Sequence, residues 1–486
     1  MKKILIVFSI IFHLSSNVYA QEFKLEKIVD GLDEPWSLSF IDDENIGDIR
    51  VHSPKDEVEI KALRSFSEIH NLGIAIKDEF IVALDIGTTK VLCLVADYDD
   101  DGQLRIVGVG QENCQGLNKG VISEIDATVK SIRKAKDQAR AMTNCKFSSV
   151  TTGIAGNHIQ SYNGNAAVNI LNDEVTEEDK IKAILNASDI SIPPDQEILH
   201  RIPQYFTIDG QMGIKEPIGM AGKRLEVNVH VITCSTTAKK NLTKCIENSF
   251  LDVDEFVLQP VASSYSVLTE EEKSLGVCLV DIGGGTTDIA IFTDGDIKHT
   301  AVVPVAGQNV TNDIRIGLCT SLEASEEIKK KYGSLVNDAN DSEMKFPVPS
   351  VSDNPDSEIG KPILTHIITC RIDEIFKQIQ DQINSSGWAS KIRAGIVFTG
   401  GGSKIIGLDD YAEAKFSMPA RIGSPKSIPG ITNLNGLTRY STAVGLLLYR
   451  EEQLKEMPHR QKSDTPFVSY ISNLWAKIST YFQKEL

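Results

Sequence analysis

A short pattern that occurs twice constrains this chain more than any other feature. Around Asp85 the sequence runs IVALDIGTTKVLCLVADYDDDGQLRIVGVG, and around Asp281 it runs GVCLVDIGGGTTDIAIFTDGDIKHTAVVPVAG. Each copy has an apolar strand ending in Asp-Ile-Gly, a Gly/Thr turn and a second apolar strand. An acidic turn with glycine and a third apolar strand follow. Apolar runs joined by such turns are hairpin signals. Two copies predict an α/β chain in which two related domains face each other across a cleft. At 486 residues the chain has room for both cores.

The residue types in the turns point to phosphate. Gly87, Gly283, Gly284 and Gly285 carry no Cβ, so their backbone N–H groups can approach a ligand closely. The hydroxyls of Thr88, Thr89, Thr286 and Thr287 can donate to phosphate oxygens, and Lys90 follows the first turn. Asp85 and Asp281 end their strands where carboxylates could hold a hydrated Mg²⁺, which keeps most of its waters. One glycine-rich hairpin alone is structural by default; the repetition is what carries the phosphate reading. A third glycine cluster, AGIVFTGGGSKIIGL, would let a flat purine pass close to Gly400, Gly401 and Gly402, with Lys404 beside them. In SLEASEEIKKKYG, Glu326 and Lys329 share one helix face, a spacing equally at home on a solvated helix.

In this order these pieces resemble the actin-like ATPase superfamily. Asp85–Lys90 and Asp281–Asp288 resemble its two phosphate loops, and Thr399–Leu408 its adenosine motif. LQPVASSYSVL and YSTAVGLLLY resemble the two helices that connect the halves. The resemblance implies an actin-like α/β fold with ATP and Mg²⁺ as cofactors. It also implies that Glu326 and Lys329 reach the ribose and purine, and that Gln259 orients an attacking water in a slow hydrolysis. Within the superfamily, ASSYSVLTEEEKSLGVCLVDIGGGTTDIAIF and HRIPQYFTIDGQMGIKEPIGMAGKRLEVNVHVITC are similar to the bacterial cell-division FtsA family. That family carries an inserted subdomain where the second stretch lies. Its members polymerise and tether the tubulin-like protein FtsZ to the cytoplasmic face of the inner membrane at the septum, alongside other division proteins.

The resemblance covers roughly residues 80–486. It sets expectations for a first domain at 80–157, 237–272 and 437–450, and for the inserted subdomain at 158–236. The second domain is expected at 273–310 and 364–436, with a small outer subdomain at 311–363 that would carry the FtsZ contact. Residues 451–466 read as a linker, because MPHRQKSDTP has two prolines and no apolar period. In the last stretch, 467–486, Phe467, Ile471, Leu474, Trp475, Ile478, Tyr481 and Phe482 recur at spacings of three and four. Such a helix commonly docks on its own protein. After a linker, with rings dominating its apolar face, it suits an interfacial membrane anchor.

The front of the chain does not fit. Residues 1–20 resemble a secretory signal, with two lysines, a short apolar run and Val18-Tyr19-Ala20. FKLEKIVDGLDEPWSLSF resembles the opening strand of secreted propeller-type sugar dehydrogenases of the PQQ class. Residues 21–79 are expected to be an unrelated, disordered extension, joined by fusion or by a misplaced start. Export disagrees with the eight cysteines, which form no CxxC pair and sit mostly in apolar runs. A net charge of −17 with no long basic cluster argues against nucleic acid as a partner. Two further readings share the LDIGTT turn or the fold: a sugar or polyol kinase, and a platform protein of pilus assembly.

Overall fold

The computed structural model describes residues 37–40, 48–52, 57–61, 80–143, 147–336, 344–351, 355–430 and 437–456. The signal-like segment and the amphipathic stretch 467–486 lie outside the described residues. The chain divides into two units, Met1–Lys77 and Asp78–Leu486. In the first, where disorder was expected over 21–79, the strands Ser37–Phe40, Asp48–His52 and Glu57–Lys61 form an antiparallel meander.

Two five-stranded sheets organise the second unit. The first runs in the order Asp252–Leu258, Ser149–Ile154, Ile81–Ile86, Lys90–Tyr98, Leu104–Asn113. The strands from Ile81 to Asn113 form an antiparallel meander, and the first three are parallel. The other sheet repeats the plan. Asp296–Val303, Thr287–Thr293 and Val277–Ile282 are antiparallel, then Gly395–Thr399 and Ala420–Ile422 continue in parallel. Ile81–Ile86 and Val277–Ile282 are buried along their whole length, as central strands covered by helices must be. This explains why both read as continuous apolar runs instead of alternating ones.

Helices Gln259–Val267 and Ser441–Glu456 pack on each other at the centre of the unit. Gly445 allows the close crossing, since a Cβ there would run into the Ala262 carbonyl. The second of these helices continues to Glu456, into the stretch expected to be linker. REEQLKE is made largely of good helix formers, and Lys455 pairs with Glu451 one turn back.

Between the strand Ser149–Ile154 and the helix Thr236–Glu247 lies a smaller antiparallel sheet. Its order is Gln160–Asn169, Arg224–Ser235, Gln196–Ile208, Gln211–Ile214. The helix Glu177–Ala187 covers it, opened by a reciprocal capping box between Thr176 and Asp179. Phe206, Leu225, Val227 and Val229 give it a core of its own. It also reaches the other half of the unit. Ser161 Oγ donates to the Thr300 carbonyl at 2.9 Å, and Gln204 Nε2 to the Ile297 carbonyl at 2.7 Å. An edge strand with bare backbone groups is a liability, and here side chains cap its carbonyls.

Candidate nucleotide cleft

The two repeated hairpins meet tip to tip. A Cβ on Gly285 would lie 2.5 Å from Thr88 Oγ1, and one on Gly284 would lie 2.5 Å from Thr89 Cγ2. The second turn is glycine-rich because the threonines of the first occupy that space. Gly283 N–H donates to the Thr286 carbonyl at 2.9 Å, and Gly87 N–H to the Lys90 carbonyl at 2.9 Å, so both turns close in the same way. Gly307 and Gln308, opening the helix Gly307–Leu318, donate to the carbonyls of Gly283 and Gly284 at 3.1 and 2.8 Å.

A cavity of about 880 Å³ opens over these turns. Of the residues singled out from sequence, Asp85, Gly87, Thr88, Thr89, Lys90, Gln259, Asp281, Gly283 and Gly284 line it. So do Glu326, Lys329, Gly400, Gly401, Gly402 and Lys404. Gly285 and Thr286 stand behind the lining: Gly285 abuts Thr88, and Thr286 is 6% exposed and donates to Asp288 Oδ2 at 3.0 Å. Gly400, at φ +85°, lies so close that any side chain would collide with Asp281 Oδ1 and the Ile282 carbonyl. Glu326 and Lys329 pair with each other at 2.6 Å. They are also tied to Thr311, whose hydroxyl donates to Glu326 at 2.6 Å and accepts from Lys329 at 2.7 Å.

Each loop carries a buried carboxylate, but the two are balanced differently. Asp85 has Lys90 at 3.8 Å and accepts from Gln259 Nε2 at 3.3 Å. Burial pushes its carboxyl up and Lys90 pulls it down, leaving it above the ordinary range. Lys90 also donates to the Arg439 carbonyl. Burial holds its ammonium below the ordinary value against the pull of Asp85 and Asp281. Asp281 has only hydroxyls, Ser263 at 2.8 Å and Thr442 at 3.3 Å, and burial raises it too.

Asp288 goes further. It lies past the second turn, on the strand Thr287–Thr293 directly opposite Asp281. Its Oδ1 is buried with no hydrogen-bond partner, and burial together with Asp281 lifts its carboxyl to about 8. Among the described residues no three acidic, histidine or cysteine side chains converge tightly enough to hold a bare ion. Asp85, Asp281 and Asp288, buried and short of positive charge, could hold Mg²⁺ through its waters. Sequence reading passed over Asp288, which strand pairing sets opposite Asp281. Sequence reading also missed Gln111, Asn113, Thr311 and Arg439, which line the same cavity. Arg439 has a local signal, since it directly precedes YSTAVGLLLY; Gln111 and Asn113 have none, because they reach the cleft only through strand pairing.

A family model for the cell division protein FtsA matches residues 278–445, and one for the SHS2 domain inserted in FtsA matches residues 156–233. The cell division protein FtsA of Pseudomonas aeruginosa is 47% identical over 371 residues, covering 76% of this chain and 89% of the relative. The Escherichia coli K12 protein of the same name is 39% identical over 381 residues, 77% of this chain and 91% of that one. Among solved structures, the PilM-PilN type IV pilus biogenesis complex covers 76% of this chain and 98% of its own, with 15% identity and a TM-score of 0.56, a likeness of fold alone. On relatives of this identity over three quarters of its length, the chain belongs to the cell division protein FtsA family, with the actin-like α/β fold.

Proposed function

We propose that the chain binds Mg·ATP in this cleft, assembles with copies of itself into an actin-like polymer, and tethers FtsZ to the cytoplasmic face of the inner membrane at the division septum. The observation that carries the nucleotide reading is the meeting of two glycine-threonine turns over one cavity, with carboxylates on both sides. The triphosphate would lie against the turns at Gly87–Thr89 and Gly283–Gly285, with Lys90 as its counter-charge. Asp85, Asp281 and Asp288 would hold the metal's waters, and Mg²⁺ would offset the phosphate charge. The purine would pass over Gly400–Gly402 toward Lys404, Arg439 and the Glu326–Lys329 pair. Gln259 would orient water for a slow hydrolysis. FtsZ would dock on the outer subdomain, 311–363, and residues 467–486 would lie in the lipid interface.

Membrane attachment by one such helix is weak and reversible, and a polymer multiplies it through avidity. The test is co-sedimentation of the full chain with anionic phospholipid vesicles, with and without Mg·ATP, beside a version ending at Pro466. The full chain is expected to pellet with the vesicles, more so with Mg·ATP, and the shortened one to lose at least about tenfold in binding. Equal pelleting of the two would remove the anchor, and an absence of any response to Mg·ATP would separate the cleft from assembly. Among the described residues, no helix is long and apolar enough to cross a membrane.

A further inference from the structure

Gln259 opens the helix Gln259–Val267, and Leu258 is that helix's N-cap. Leucine offers no side-chain oxygen, so the cap makes no side-chain hydrogen bond. The Leu258 backbone N–H instead donates to Nε2 of His200 at 3.0 Å. His200 lies on the strand Gln196–Ile208, within the inserted subdomain, and only 9% of it is exposed. One side chain of the inserted sheet thus holds the Val257–Leu258 peptide, one residue before the glutamine that faces Asp85. The space around Gln259 is shaped to match. A Cβ on Gly153 would come within 3.1 Å of Gln259 Cγ, so the bare glycine on the neighbouring strand leaves room for this one rotamer.

We propose that His200 is a positioning residue for the water-orienting step, acting through Leu258 on Gln259. The inference rests on the nucleotide reading given above. Geometry makes the dependence steep. Gln259 Nε2 reaches Asp85 at 3.3 Å, near the limit of a useful hydrogen bond, so a small shift of the helix start breaks the contact. A displacement of about 1 Å at a positioning group costs up to about 100-fold in rate. His200 must accept, so its proton sits on Nδ1 and the ring is neutral. That is the state its burial imposes. Because the histidine belongs to the inserted subdomain, anything that moves that subdomain also moves Gln259.

The test compares two full-length variants of similar volume. His200→Gln keeps an acceptor at nearly the position of Nε2, and His200→Phe fills the space with none. For each, the affinity for Mg·ATP, the single-turnover hydrolysis rate and the melting temperature are measured. The expected result is a five- to tenfold lower rate for His200→Phe with Mg·ATP affinity within about twofold of wild type, and most of the rate restored in His200→Gln. Equal rates in wild type and His200→Phe would overturn the assignment. So would a loss of affinity and melting temperature in parallel with rate, which marks a packing role only. A wild type that binds Mg·ATP but never turns it over also overturns it, since Gln259 would then have no water to place. A wild type that does not bind Mg·ATP would instead bring down the nucleotide reading itself.

Discussion

Within the inserted subdomain, where it meets the strand Asp296–Val303, His230 is 1% exposed and uses both ring nitrogens, Nδ1 with Asn163 at 2.8 Å and Nε2 with Thr300 at 3.2 Å. In the cleft, Asp288 is 2% exposed and uses one carboxylate oxygen of two. Both burials are costly, yet only the first is repaid within the fold. Where a buried ionisable group finds all its partners in the chain, it fastens elements together. Where it lacks one, the shortfall marks what a ligand must bring. The seam beneath the inserted subdomain belongs to the first kind and the cleft to the second. Within the cleft, the half carrying Lys90 is nearly self-sufficient and the half carrying Asp288 is not.

The comparison breaks most visibly at Gly400. Gly400→Val forces a branched side chain into a positive-φ position against Asp281, so Mg·ATP affinity is expected to fall at least about 100-fold while the seam stays intact. Titration with a fluorescent ATP analogue, beside a melting curve, separates the two effects. Retained binding would mean that the nucleotide does not lie where the loops converge.

The same operation, removal of a charged or chargeable buried group, should have opposite signs in the two regions. His230→Ala strips two hydrogen bonds from the seam and is expected to cost about 2–4 kcal/mol in urea unfolding. Asp288→Asn removes a carboxylate whose oxygen lacks a partner, so the metal-free protein should gain about 1 kcal/mol. The variant should also lose the stabilisation that Mg²⁺ with ATP gives the wild type. A loss of stability in metal-free Asp288→Asn would show that Asp288 is satisfied after all, and would erase the contrast.

How far the sequence disclosed these regions follows from the range of the signals involved. The paired sheets were legible because each repeat carries its own hairpin in contiguous residues, from the Asp-Ile-Gly turn to the acidic turn. The two glycine-threonine turns were legible for the same reason, since Gly and Thr cluster within six or eight positions. Asp288 was overlooked although it ends the quoted motif, because its meaning lies in what it lacks, and hydrogen-bond satisfaction is invisible in a sequence. His200, His230 and Gln204 gave no signal at all. Isolated polar residues in β-rich stretches read as solvent-facing. Contact of the inserted sheet with Asp296–Val303 engages His230 and Gln204, and contact with the end of Asp252–Leu258 engages His200. Of the strands at 37–61, Ser37–Phe40 falls in the stretch read as a strand, whereas DIRVH and EVEIK were missed because they alternate too briefly to outweigh their charge.

The smallest effect concerns pH. Burial lowers His200 to about 4, with Lys239 reinforcing it. It lowers His230 to about 3, with His299, His200 and Lys298 all repelling its proton. Unfolded, both would titrate near 6.5. A depressed folded value means that the unfolded chain binds more protons than the native one. Stability from these groups is therefore complete above pH 6.5 and drains away as pH falls toward 4. Between pH 7 and pH 6 the two histidines together should remove about 1 kcal/mol, read as a shift in urea midpoint at constant slope. The shift is read in the Asp288→Asn background, because the raised Asp288 carboxyl takes up its proton over the same window and offsets the loss. In His200→Gln about half of that dependence should vanish, because one of the two proton sinks is gone. An unchanged dependence would mean that His200 is reached by water and protons in the native state, and the seam would then be open like the cleft, not closed against it.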